Sequence, residues 1–101
     1  MSNVDVGRTI LDQMGGMSRL SAMLGVKKFL LIPGGVSFRW PGKVRKVGNC
    51  VEVVLRDDDT YDLTFSWYRG QVLEVTKKFA GVYAEDLIPF FEGHTGWFLR
   101  L

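Results

Sequence analysis

Residues 51–67 read VEVVLRDDDTYDLTFSW, and the fold turns on how this stretch is understood. Val51, Val53 and Leu55 fall on one side of an extended chain, with Glu52 and Arg56 on the other. That period of two marks a half-buried strand. Tyr61, Leu63, Phe65 and Trp67 repeat the pattern against Thr60, Asp62, Thr64 and Ser66. Between the two runs stand Asp57, Asp58 and Asp59. Aspartate side chains hydrogen-bond the backbone close to them and so favour turns. The stretch predicts an antiparallel strand pair joined by an acidic turn.

Working outward, Tyr68-Arg69-Gly70 reads as a second turn, and Leu73, Val75 and Phe79 then alternate with Glu74, Thr76 and Lys78 as a third strand. Upstream, Val36, Phe38 and Trp40 alternate with Ser37 and Arg39, and this phase predicts burial of Trp40. Phe29 to Ile32 reads as a short buried strand before a Pro33-Gly34-Gly35 turn, and residues 43–49, after Pro41-Gly42, read as a basic loop. A sheet with one apolar face needs a cover. Val6, Ile10, Leu11 and Met14 form a helical stripe that Gly15-Gly16 ends, and Met17, Leu20 and Leu24 form a second that Gly25 stops. Tyr83, Leu87 and Phe91 predict a C-terminal helix beginning near Ala84 or Glu85, which leaves Pro89 around its first turn, where the missing N–H costs least. Trp97-Phe98-Leu99 is expected to tuck back as an extended tail. The expected fold is α+β, a single domain over residues 1–101. It is an antiparallel meander of about four to five strands, covered on one face by two short N-terminal helices and one C-terminal helix.

Composition narrows the classes. A chain of 101 residues with 47% hydrophobic and 13% aromatic residues is too apolar to be disordered and large enough for one core. No run approaches the roughly 18–20 apolar residues of a membrane span, and the first residues lack the basic-then-apolar order of a secretory leader. Cys50 is the sole cysteine, which excludes a disulfide within the chain and fits a reducing, cytoplasmic compartment.

Charge is unevenly spread. Lys27, Lys28, Arg39, Lys43, Arg45 and Lys46 occur between residues 27 and 51 with no acid among them, whereas Glu52, Asp57, Asp58, Asp59 and Asp62 are opposed only by Arg56. If the basic segments meet in space they form a cationic patch suited to phosphates or to an acidic protein. The three aspartates offer an acidic hairpin tip. They lack the alternating spacing, the glycine and the distant glutamate of a calcium loop, so the turn reading outweighs a metal one. A Cys50–His94 nucleophile pair would need the two side chains within hydrogen-bond reach; Cys50 instead suits a small buried position at a strand head and His94 a helix end. One cysteine and one histidine are too few for a zinc site, and neither Gly15-Gly16 nor Gly34-Gly35 has phosphate-loop spacing. As a helix-turn-helix reader of DNA, the second helix would present little beyond Arg19 and serines. No catalytic residue, metal ligand or cofactor is assigned.

Across nearly the whole chain the order of features resembles a group of small uncharacterised proteins of phages and integrated mobile elements. The resemblance runs through Ile10-Leu11, Gly15-Gly16, Met23, Lys28-Phe29, Ser37-Phe38-Arg39, Val53-x-Leu55, Asp59-Thr60-Tyr61-Asp62 and Phe65. It continues through Gly81-Val82-Tyr83-Ala84, Leu87, Phe91, Thr95-Gly96 and Leu101. It brings no activity, substrate or catalytic residue. It implies a genomic context in which small non-enzymatic proteins often bind a host factor, components of host defence included. The expectation is therefore a non-enzymatic protein of the host-cell cytoplasm that binds a host protein or protein–nucleic-acid complex, as an inhibitor of host defence or of nucleic-acid handling. The binding residues would be Lys27, Lys28, Arg39, Lys43, Arg45 and Lys46, or the tip of Asp57, Asp58 and Asp59. The alternatives are direct nucleic-acid binding by the basic 27–46 stretch and a small metal-dependent hydrolase using the aspartates. The edge strands of a meander also admit a homodimer.

Overall fold

A computed structural model describes residues 3–26, 29–42 and 44–96. Helices α1 (Asn3–Gln13) and α2 (Met17–Leu24) precede five strands: β1 (Phe29–Ile32), β2 (Gly35–Arg39), β3 (Cys50–Leu55), β4 (Tyr61–Arg69) and β5 (Val72–Val82). A 3₁₀ turn (Ala84–Asp86) then leads into α3 (Leu87–Thr95). The strands lie in the order β1-β2-β3-β4-β5 and every neighbouring pair is antiparallel. The expected α+β meander is the one observed. Lys27, Lys28, Lys43 and the Trp97-Phe98-Leu99 tail lie outside the described residues.

All three helices cover the same face of the sheet. Val36, Phe38 and Trp40 of β2 and its end, Val51 and Val53 of β3, and Tyr61, Leu63 and Phe65 of β4 form one buried cluster with Ile10 and Met14 of α1, Leu20 of α2, and Leu87 and Phe91 of α3. Aromatic rings fill its centre. Phe91 lies 6.1 Å from Phe38, 5.5 Å from Trp40 and 5.8 Å from Phe65, centroid to centroid. Burying each such side chain contributes about 1.5–3 kcal/mol. Gly7 lets α1 approach closely, because a Cβ there would stand 2.4 Å from Leu31 Cδ2 and 3.0 Å from the Gly35 carbonyl. At Gly35 itself a Cβ would stand 1.9 Å from the Val53 carbonyl, so the β2–β3 backbone leaves no room for any side chain. Pro89 falls at the third residue of α3, in the first turn as the sequence predicts.

Several details differ from the sequence reading. Strand β1, expected to be buried, is an edge strand and leaves Leu30 and Leu31 56% and 41% exposed, and Met17 and Tyr83, expected on buried helical stripes, are exposed too. Strand β4 continues to Arg69, and the reversal is the two-residue link Gly70-Gln71, with Gly70 at φ 63°. Strand β5 carries two register shifts against β4. Phe65 pairs with Lys77 but Ser66 with Val75, which leaves Thr76 as an extra residue; the second shift lies between the Leu63–Phe79 and Tyr61–Val82 pairs. The Thr76 bulge reverses the facing of everything before it. Phe79 packs on the core, while Leu73 and Val75 turn to the opposite face and are 55% and 60% exposed. Simple alternation had placed all three together.

Candidate binding site

The face of the sheet without helices is built from the alternate residues. The register aligns Leu30, Ser37, Glu52, Thr64 and Lys78 in one row, and Arg39, Cys50, Ser66 and Val75 in the next. Tyr68 and Leu73 pair beyond them. The Arg39 guanidinium sits 4.6 Å from the centroid of the Tyr68 ring, an aromatic face that attracts the cation. Cys50 and Ser66 lie beside this stack and are buried although no helix covers them. Together Leu30, Ser37, Arg39, Cys50, Glu52, Tyr68 and Leu73 line a shallow groove of about 290 Å³. Its ends are aliphatic, and its middle carries a positive and a negative side chain.

The described members of the basic stretch, Arg39, Arg45 and Lys46, are divided between the two faces of the sheet. Arg39 faces the groove, whereas the 44–48 loop folds toward the helix side. His94 of α3 donates from Nε2 to the Val47 carbonyl at 2.9 Å, and the Thr76 hydroxyl lies 3.4 Å from the same oxygen and 3.2 Å from the Phe65 carbonyl. Arg45 forms an exposed ion pair with Glu74, and Lys46 is exposed beside it. The loop closes at its base through Trp40 N–H to the Asn49 carbonyl. Asn49 also brackets Tyr68, donating from Nδ2 to its carbonyl at 2.8 Å and accepting its N–H at 2.7 Å. Trp40 is buried among Phe38, Phe65 and Phe91, as its phase predicts, and so does not serve as a stacking platform for a base.

The aspartates form the β3–β4 turn. Asp59 takes a left-handed conformation at φ 64°, which aspartate tolerates, and donates its N–H to the Arg56 carbonyl at 3.1 Å. Asp58 accepts the Thr60 hydroxyl at 2.6 Å and the Thr60 N–H at 3.2 Å, and these bonds hold its carboxyl below the ordinary aspartate range. Asp62 accepts from Arg56 at 3.1 Å, which pushes the guanidinium's pKa further up. Among the described residues no three His, Cys, Asp or Glu side chains are grouped to hold a metal. Arg39 pairs with the first residue of β3 and the acidic turn follows its last. At about 3.3 Å per residue the two lie roughly 20 Å apart. Charge polarity along the chain has become polarity along the strands, with Arg45, Lys46 and Arg69 at the Arg39 end and Glu85 and Asp86 at the aspartate end.

Cys50 and His94 occupy opposite faces of the sheet. The thiol is 3.8 Å from Ser37 Oγ, and burial raises its pKa, which disfavours the thiolate that a nucleophile needs. The His94 ring lies tilted at 45° to Phe65, with centroids 4.2 Å apart. The nucleophile pair is thus ruled out by geometry. The sequence reading placed none of Leu30, Glu52, Tyr68 and Leu73 in a binding site. Tyr68 carried a usable signal, since the Thr64–Ser66 alternation extended by two residues puts it on the polar face.

No helix among the described residues is long and apolar enough to cross a membrane. Comparison of the chain with protein-family models, curated proteins and solved structures found no match.

Proposed function

We propose that this protein is a non-enzymatic binding module that docks a protein partner on the helix-free face of its sheet. The observation that carries the reading is the Arg39–Tyr68 stack standing over a groove with aliphatic ends at Leu30 and Leu73. Arginine and tyrosine dominate the energetics of protein interfaces, because both combine a large apolar surface with directed polar groups. The complementary partner presents a carboxylate toward Arg39, flanked by aliphatic side chains. A host protein or protein–nucleic-acid complex as that partner, and a phage or mobile-element origin, are parts of the proposal that rest on the resemblance alone. The hydrolase alternative loses support because Asp58 and Asp62 are already engaged by Thr60 and Arg56. Direct nucleic-acid binding is the second reading, favoured by Arg39, Arg45, Lys46 and Arg69 lying at one end of the sheet, and weakened by their division between its two faces and by the Glu74 partner of Arg45.

The test compares two double variants as bait in cell extract. Arg39→Ala/Tyr68→Ala is expected to lose a stoichiometric protein that the wild type and Asp57→Ala/Asp59→Ala retain. Equal retention by the groove variant, or no protein retained by any bait, overturns the reading. Salt-dependent binding of an oligonucleotide that weakens in Arg45→Ala/Lys46→Ala would favour the second reading instead.

A further inference from the structure

Strand β5 is the longest strand of the sheet, and its outer edge pairs with no strand among the described residues. Such an edge presents unpaired backbone donors and acceptors, and proteins usually guard it with charge. On β5 the charges are arranged by the Thr76 bulge. Glu74 pairs with Trp67 and Lys77 with Phe65, so an acid and a base three positions apart project from the same, helix-bearing face. In an unbulged strand they would face opposite ways. We infer that β5 pairs antiparallel with β5 of a second copy of this chain, about a two-fold axis through the Val75–Thr76 step, to form one continuous sheet.

Two separate features select this register. Antiparallel pairing about that step sets Glu74 against Lys77 of the second copy, twice by symmetry, and opposite charges in directly opposed positions stabilise a strand pair. It also sets Val72, 68% exposed, against Phe79 of the second copy. Phe79 lines an open apolar pocket of about 460 Å³ with Pro89, Phe90, Gly93 and His94, so each copy offers both the exposed aliphatic group and the apolar recess beside it. On the other face Leu73 meets Lys78 of the second copy, whose methylene stem can cover it. Pairing with an arbitrary apolar strand would leave Lys77 and Lys78 unopposed, so the charges that guard the edge also choose its partner. A two-fold axis closes the assembly at two copies. Pairing of β5 with β1 of another copy would instead propagate.

Analytical ultracentrifugation over a concentration series tests the inference. A dimer is expected for the wild type. Lys77→Glu sets like charges opposite one another twice and is expected to weaken it about tenfold. Glu74→Lys/Lys77→Glu restores the opposition and the dimer, and circular dichroism checks that each variant folds. In a Cys50→Ser background, Val75→Cys is expected to crosslink to its own copy across the axis, whereas Gln71→Cys is not. A monomer at all concentrations, species larger than a dimer, a dimer indifferent to Lys77→Glu, or no rescue by the charge swap each overturns the proposal. A monomer would leave β5 to an extended segment of another protein.

Discussion

Strands β4 and β5 are hydrogen-bonded neighbours with the same written pattern of alternating apolar and polar residues, yet they meet opposite fates. β4 buries Tyr61, Leu63 and Phe65 against the helices, and Ser66 is buried as well. β5 buries Val82 at its end and packs Phe79 against the core, but leaves Val72, Leu73 and Val75 in solvent. Two things separate them. β4 has a strand on each side, so its register is fixed twice, while β5 is held on one side and absorbs two bulges. On the helix-bearing side, moreover, Val72 of β5 is left uncovered, and on the other side Leu73 and Val75 are. Alternation specifies that two faces differ; which face is buried depends on an unbroken register.

The largest effect expected from this contrast comes from matched truncations. Phe65→Ala should cost about 3–5 kcal/mol, since it opens a cavity among Trp40, Phe79, Phe91 and His94. Val75→Ala at monomer concentrations should stay within about 0.5 kcal/mol. Urea unfolding measures both, and comparable losses would mean that β5 is packed like β4. Deletion of Thr76 comes next. It removes the bulge and the hydroxyl contacts with Phe65 and Val47, while Val75 and Lys77, then adjacent, keep Ser66 and Phe65 as their partners and the residues before them keep their faces. A loss of about 2 kcal/mol is expected, within the usual range for a disrupted local network. A deletion without effect would show that the Thr76 hydroxyl contacts contribute nothing to stability.

The smallest effect concerns the turn that starts β4. Asp58 has a lowered folded pKa, chiefly because the Thr60 hydroxyl hydrogen-bonds the ionised carboxylate and secondarily because the Thr60 N–H does. Its contribution is therefore complete above the ordinary aspartate pKa of about 3.9 and is lost as pH falls through the lowered value. Between about pH 5 and pH 2, wild-type stability should fall slightly more steeply than that of Asp58→Asn, as read by acid titration of the urea midpoint. Parallel curves would indicate that the Thr60 bonds do not distinguish the two forms of the carboxyl.

Strands β2, β3 and β4 were legible in the sequence because each is a central strand whose side chains keep an unbroken period of two. The helices were legible from stripes that the structure buries at Ile10, Met14, Leu20, Leu87 and Phe91, though not at Met17 or Tyr83, and, for α2, from Gly25, which caps it in a left-handed conformation. What escaped was the Thr76 bulge, since nothing in Val75-Thr76-Lys77 distinguishes an extra residue from a regular one. Gly81 gave a fairer warning of the second irregularity, glycine within a strand often marking a bulge. The candidate site was half legible for a related reason. Arg39, Arg45 and Lys46 are close in sequence, but the Val47 carbonyl bonds with His94 and Thr76 draw the loop to the helix side, away from Arg39. The groove combines residues from all five strands, a grouping that only the full meander order produces.

The Asn49 side chain, bonded to both the N–H and the carbonyl of Tyr68, acts as a substitute backbone. It prolongs the β3 side of the ladder just where the main chain departs into the loop. Because this clasp and the Trp40–Asn49 bond close the base, the alignment of β2 on β3 is held at the mouth of the loop. Foreign sequence spliced into it would lengthen a loop whose ends are already held together, and doubling a flexible loop costs only about 0.6 kcal/mol. Length added to this loop would therefore be borne by the loop and not by the strand register.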